Sequence, residues 1–146
     1  MTAIVIDSNV SLKWALRDEG LLIEADALRR DVQAGVIELI APSLWIYETI
    51  GVLLVATRRG RITLEASREA RDDILSVPVR LTDPSATQVY EQAIRYNISG
   101  YDAAYLALAT ELNLPLWTGD HRFYNAVQGR VDFVNWIGDY PSDDRT

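Results

Sequence analysis

Short apolar runs alternate with amphipathic helical stretches along this chain, and few folds accept that order. Strands alternating with helices build a parallel sheet joined by helical crossovers. Ala3–Ile6 reads as a buried first strand, Val36–Ile40 as a second, Val79–Leu81 as a third and Pro115–Thr118 as a fourth. Val131–Val134 reads as an edge strand. Val10–Leu16 reads as a short helix, and Leu21, Leu22, Ala25, Leu28 and Val32 carry a helical period that Gly35 ends. Pro42 suits the first turn of a helix reaching Thr57 and closed by Gly60. Thr63, Asp83-Pro84 and Ser99 start three more helices, ending near Ser76, Tyr96 and Leu112-Asn113. With 146 residues, 49% of them hydrophobic, the chain can build one core but not two. The expected fold is α/β: one domain over residues 1–139, a central parallel sheet flanked by helices, and a loose polar tail over 140–146.

Four acids stand where an acid is locally out of place. Asp7 follows Ala3-Ile4-Val5-Ile6, and Asp120 follows Leu116-Trp117-Thr118. Glu48 lies one helical turn from Leu44, Trp45, Gly51 and Val52, which predicts that it points inward with them. Asp102 opens the helical run after Ser99. Ligands of open α/β sheets bind beyond the carboxyl ends of the strands, so Asp7 and Asp120 would share a crevice if their strands are neighbours. Plain alternatives exist for each acid. Asp7 and Asp120 make good helix caps, Ser99 and Asp102 have capping-box spacing, and Glu48 could pair with a buried arginine. Gathered together, four carboxylates would repel strongly, and a divalent cation is the natural way to hold them.

Charge and composition narrow the chemistry. The net charge is −7, which argues against whole-surface attraction to nucleic acid but leaves room for a local basic patch. Arg58, Arg59 and Arg61 cluster after the second long helix, and Arg29-Arg30 near the end of the first; Lys13 is the single lysine. Cysteine is absent and His121 is the single histidine, which excludes thiolate and multi-histidine metal sites. His121 could act as a general acid or touch phosphate, but reads more simply as an exposed residue at a helix start. Trp14, Trp45, Trp117 and Trp136 read as core or interface. No leader peptide and no membrane span is expected, and the lack of cysteine fits the cytoplasm.

With these positions in hand, the sequence resembles PIN domains of the VapC type, the toxin half of toxin–antitoxin pairs. The matching segments are Ile4-Val5-Ile6-Asp7-Ser8-Asn9-Val10, Ala41-Pro42-Ser43-Leu44-Trp45-Ile46-Tyr47-Glu48, Tyr101-Asp102-Ala103-Ala104-Tyr105-Leu106-Ala107 and Leu116-Trp117-Thr118-Gly119-Asp120. The resemblance implies a PIN-like parallel-sheet domain and an endoribonuclease using Mg²⁺ or Mn²⁺. It gives the catalytic, metal-holding role to Asp7, Glu48, Asp102 and Asp120. Ser8, Asn9 and Thr118 would orient them, and Arg58, Arg59 and Arg61 are candidates for RNA contact. It further implies a homodimer inhibited by a cognate antitoxin. The chain departs from many relatives in having His121-Arg122-Phe123 after Asp120, where a further acid is common. Two rival readings remain. One is a catalytically silent PIN-like module that binds RNA or protein. The other is a phospho-accepting receiver domain, which the Asn at position 9 and the lack of a late lysine disfavour.

Overall fold

The chain opens with strand β1 (Thr2–Ile6), and residues 1–142 are described by a computed structural model. Helix α1 (Ser8–Ser11) follows at once and runs into a 3-10 turn, Leu12–Trp14. Then come α2 (Leu22–Gln33), β2 (Ile37–Ala41), α3 (Leu44–Arg58), α4 (Leu64–Ser76) and β3 (Val79–Leu81). The order ends with α5 (Ala86–Tyr96), α6 (Gly100–Leu112), β4 (Leu116–Thr118), α7 (His121–Val127) and β5 (Val134–Trp136). The sheet order is β3-β2-β1-β4-β5, and every neighbouring pair is parallel. The strands therefore end together along one edge, and β1 is the centre.

Period-two alternation sorts the core into two layers. Val5 and Ile40 face α3 to α7, where they join Trp45, Leu53, Ile74, Leu106, Leu108 and Phe123. Ile4, Ile6 and Leu39 face the other way, onto Ala25, Leu28 and Val32 of α2 and the indole of Trp14. Burying each such side chain contributes about 1.5–3 kcal/mol. Covering both faces is what lets β1 be an unbroken apolar run. Trp14 and Trp45 are core residues as expected, and their indole N–H groups donate to the Ala25 carbonyl and the Ser11 hydroxyl, each at 2.9 Å.

Several expectations need correction. Pro42 lies outside α3. The cap position is Ser43, and its N–H and hydroxyl donate to Asp83 at 2.8 and 2.9 Å. Asp83 thus serves the start of α3 across 40 residues, while Ser85 caps α5. The edge strand is Val134–Trp136 rather than Val131–Val134, because α7 extends to Val127 and Val131 only bridges Gln128. The tail is not loose where it begins. Tyr140 is buried and its hydroxyl donates to Asp31 at 2.5 Å, and Ser142 is buried too. Residues 143–146 of the expected tail lie outside the described residues. No helix among the described residues is long and apolar enough to cross a membrane.

Candidate active site

Register assembles the first half of the site. Val5 pairs with Leu116 and Ile6 with Trp117, so Asp7 and Thr118 leave the sheet side by side. Asp7 is buried and caps α1: Oδ1 accepts the Val10 N–H at 3.2 Å and the Gly119 N–H at 3.4 Å. Its Oδ2 accepts the Thr118 hydroxyl. Loss of water raises the Asp7 pKa to about 7, and the negative charge of Asp120 adds to the rise. The three hydrogen bonds pull it down but do not overcome burial.

Helices supply the other acids. Asp120 caps α7 with Oδ1, which accepts the Arg122 and Phe123 N–H groups at 3.0 and 3.4 Å, while Thr118 Oγ1 accepts the Asp120 N–H at 3.0 Å. The same threonine thus ties Asp7 to Asp120. Asp102 lies in the first turn of α6, where Ser99 Oγ accepts its N–H at 3.0 Å. Burial, helped by the charges of Asp120 and Glu48, raises its pKa to about 6. Glu48 is half-buried on the flank of α3. The inward stripe of that helix is Trp45, Thr49, Leu53 and Ala56, and Gly51 is exposed, contrary to the expected stripe. Glu48 Oε1 accepts the Tyr105 hydroxyl at 2.6 Å and the Ser8 hydroxyl at 3.3 Å. Hydroxyls rather than an arginine therefore satisfy it, and the ion-pair alternative fails.

The four acids gather at the carboxyl edge of the sheet, close enough that their charges couple, and Asp7 and Asp120 cap helices as well. The charge of Asp120 raises the pKa of Asp7 and of Asp102, and the charge of Glu48 raises that of Asp102. Among the described residues, no three acid or imidazole side chains stand close enough to form a ready metal cage. Like charges spread apart and turn toward N–H and hydroxyl donors, which explains that geometry. The donors nevertheless suit a hard divalent cation, since all are carboxylate oxygens, and Asp120 Oδ2 carries none of the capping bonds.

The remaining expected residues divide. Ser8 donates to Glu48 and Thr118 to Asp7. Asn9 is exposed, and it is its backbone that packs near Gly119. Arg61 is committed to Asp18, with a contact to Glu19 at 3.3 Å, and Arg29 makes two 2.8 Å bonds to Asp73. Arg58 and Arg59 are exposed, but about 15 Å along α3 from Glu48 at 1.5 Å per residue. His121 is exposed at the start of α7 and stacks on Trp136 with ring centres 3.9 Å apart. Sequence reasoning missed Tyr105. Its signal was position: three residues after Asp102 on α6, it shares that residue's face.

The PIN domain family model matches residues 4–128, and that range takes in all four acids. The chain belongs to the PIN-domain family. Ribonuclease VapC1 of Mycobacterium tuberculosis is 39% identical over 72 residues, which are 46% of this chain and 54% of that protein. Exonuclease VapC9 of Pyrobaculum aerophilum is 30% identical over 89 residues, 61% of this chain and 67% of that protein. The chain thus spans about half the length of the mycobacterial relatives it matches. The crystal structure of PAE2754 from Pyrobaculum aerophilum superposes with a TM-score of 0.63 at 24% identity, covering 90% of this chain and 92% of that one. That likeness bears on the fold. This PIN domain thus has named relatives that are nucleases.

Proposed function

We propose that this PIN domain is a metal-dependent endoribonuclease, the toxin of a VapC-type toxin–antitoxin pair. The observation that carries the reading is the gathering of Asp7, Glu48, Asp102 and Asp120 from β1, α3, α6 and β4–α7 at one sheet edge, with Asp7 and Asp102 raised to about 7 and 6. A fold does not draw acids together for stability, because their repulsion costs it. Mg²⁺ or Mn²⁺ held by these four residues would supply positive charge to an RNA phosphate and make a water more acidic. Thr118 fixes the rotamer of Asp7, and Tyr105 and Ser8 fix Glu48, so the carboxylates meet substrate already oriented. A neighbouring carboxylate can take the proton of the attacking water. The products would be a 5′-phosphate and a 3′-hydroxyl. Arg58 and Arg59 are candidates for contact with RNA beyond the site. The antitoxin would enter the crevice with an arginine or lysine, which replaces the cation without supplying a nucleophile. A homodimer working in the cytoplasm completes the proposal.

The relatives' names divide between ribonuclease and exonuclease, so the test must separate internal from terminal cutting. A circular single-stranded RNA has no ends. Its linearisation by the protein in Mn²⁺, abolished by EDTA, is expected. RNA bound in Mn²⁺ and never cut, circular or linear, would instead support a silent binding module.

A further inference from the structure

Lys13, the single lysine of the chain, lies in the 3-10 turn after α1 and is only 4% exposed. Among the described residues its ammonium has no hydrogen-bond or ion-pair partner. The stem is covered while the ammonium, which is not among the fully buried unpartnered atoms, keeps an opening to solvent, as a snorkelling lysine does. Its backbone is anchored, since the Lys13 carbonyl accepts Arg17 Nη1–H at 3.2 Å. The side chain then runs against Gly119: a Cβ at that glycine would stand 3.2 Å from Lys13 Cε and equally close to the Asn9 carbonyl. Gly119 sits between Thr118 and Asp120, and its N–H donates to Asp7. The glycine therefore leaves the room that brings a lysine stem to the acid crevice.

We infer that Lys13 binds substrate, its ammonium taking a non-bridging oxygen of the RNA phosphate as that group enters the acidic crevice. This rests on the nuclease reading and deepens it. A phosphodiester approaching four carboxylates is repelled, and Arg58 and Arg59 lie too far along α3 to offset that. Arg122 is the other cation at the site, and its charge is already felt by Asp102. An ammonium offers a compact charge with three donors, and here no carboxylate occupies them.

Three readings test the inference. In an Asp120→Asn background that blocks turnover, affinity for a single-stranded RNA is followed across a salt series, with and without Lys13→Met. Removing one phosphate contact should lower the slope of log affinity against log salt by about 0.7. In the otherwise native chain, Lys13→Met and Lys13→Gln should lower kcat/KM at least ten-fold, with Lys13→Arg recovering part of it, while calorimetric Mn²⁺ affinity is not weakened. A role confined to folding would lower thermal stability and leave the salt slope alone. Should both neutral variants unfold, the lysine itself reports: selective ¹³Cε labelling gives one lysine resonance, which RNA should shift in the Asp120→Asn protein. An unmoved resonance, or folded variants with parental slope and kcat/KM, overturns the inference. If the native chain cuts RNA and the lysine variants cut equally well, only Lys13 falls. If the native chain neither cuts nor binds RNA, the nuclease reading falls as well.

Discussion

Asp7 gives one oxygen to the Val10 and Gly119 N–H groups and the other to the Thr118 hydroxyl. Capping and the proposed chemistry share one carboxylate, so they can be separated by substitution. Asparagine caps about as well as aspartate, and Asp7→Asn removes a charge that burial disfavours. The variant should fold and unfold at an equal or higher temperature near pH 7, yet lose RNA cleavage by a factor of a hundred or more. Calorimetry beside a cleavage assay checks both halves. Tyr105→Phe is the milder case. It removes one donor from Glu48 and leaves the ring in the core, so stability should fall by about 1–2 kcal/mol. Cleavage should fall roughly ten-fold through misorientation of Glu48, seen in kcat more than in KM. At this scale the sequence was readable for the acids, because a carboxylate after an apolar run is conspicuous. It was silent on Tyr105 and Lys13. A tyrosine in an apolar helix looks like any core residue, and one lysine beside Trp14 gives no sign that its stem is covered and runs against Gly119.

Element ends carry the next layer. Helix α3 holds Glu48, and its first turn is satisfied by Asp83 from the segment after β3. Asp83→Ala should cost about 1 kcal/mol as a lost cap. It should also loosen the start of α3, so amide exchange should quicken over Leu44–Glu48 while α6 stays protected. Exchange unchanged in α3 would show that Asp83 does not anchor it. The helix starts at Thr63 and Ser99 were legible because those caps act locally, each side chain accepting an N–H three residues on. Asp83 was misread because it acts across 40 residues, and linear spacing cannot reveal that. Helix α7 was read only as a start at His121, its extent unassigned, for a related reason. At seven residues it is short, and its apolar anchors Phe123 and Val127 give a single helical repeat.

For the whole molecule, the clustered acids reverse the usual effect of acid. Asp7 and Asp102 have folded pKa values near 7 and 6, above the ordinary 3.8. The folded state therefore holds more protons than the unfolded state between those limits, and unfolding free energy should rise as pH falls from about 7 toward 4. For Asp7 alone the effect is on the order of a few kcal/mol, at about 1.4 per pKa unit. Below about pH 4 the trend should turn, as Asp18, Asp26 and Asp73, held low by arginines, lose their charge. Saturating Mn²⁺ should oppose the proton effect. At a hundred times its dissociation constant it would add about 2.7 kcal/mol at pH 7, a rise of roughly 5–10 °C in Tm for a domain of this size. Urea unfolding from pH 4 to 8, with and without Mn²⁺, checks both. The parallel sheet was legible because strands alternate with helices, whereas the pairing of β1 with β4 was left open, since linear order does not fix strand order. How the acids would be oriented was not legible, since repulsion and competing N–H donors set the rotamers, and both depend on the finished fold.

The most direct test of the central claim is the rate at which the native chain and Asp7→Asn cut one circular single-stranded RNA in Mn²⁺, with thermal unfolding measured on the same samples. The expected result is linearisation by the native chain, none with EDTA, and at least a hundred-fold slower cutting by a variant that is fully folded. A folded Asp7→Asn that cuts at the native rate would contradict the account, because it would show that the acid crevice caps helices and does no chemistry.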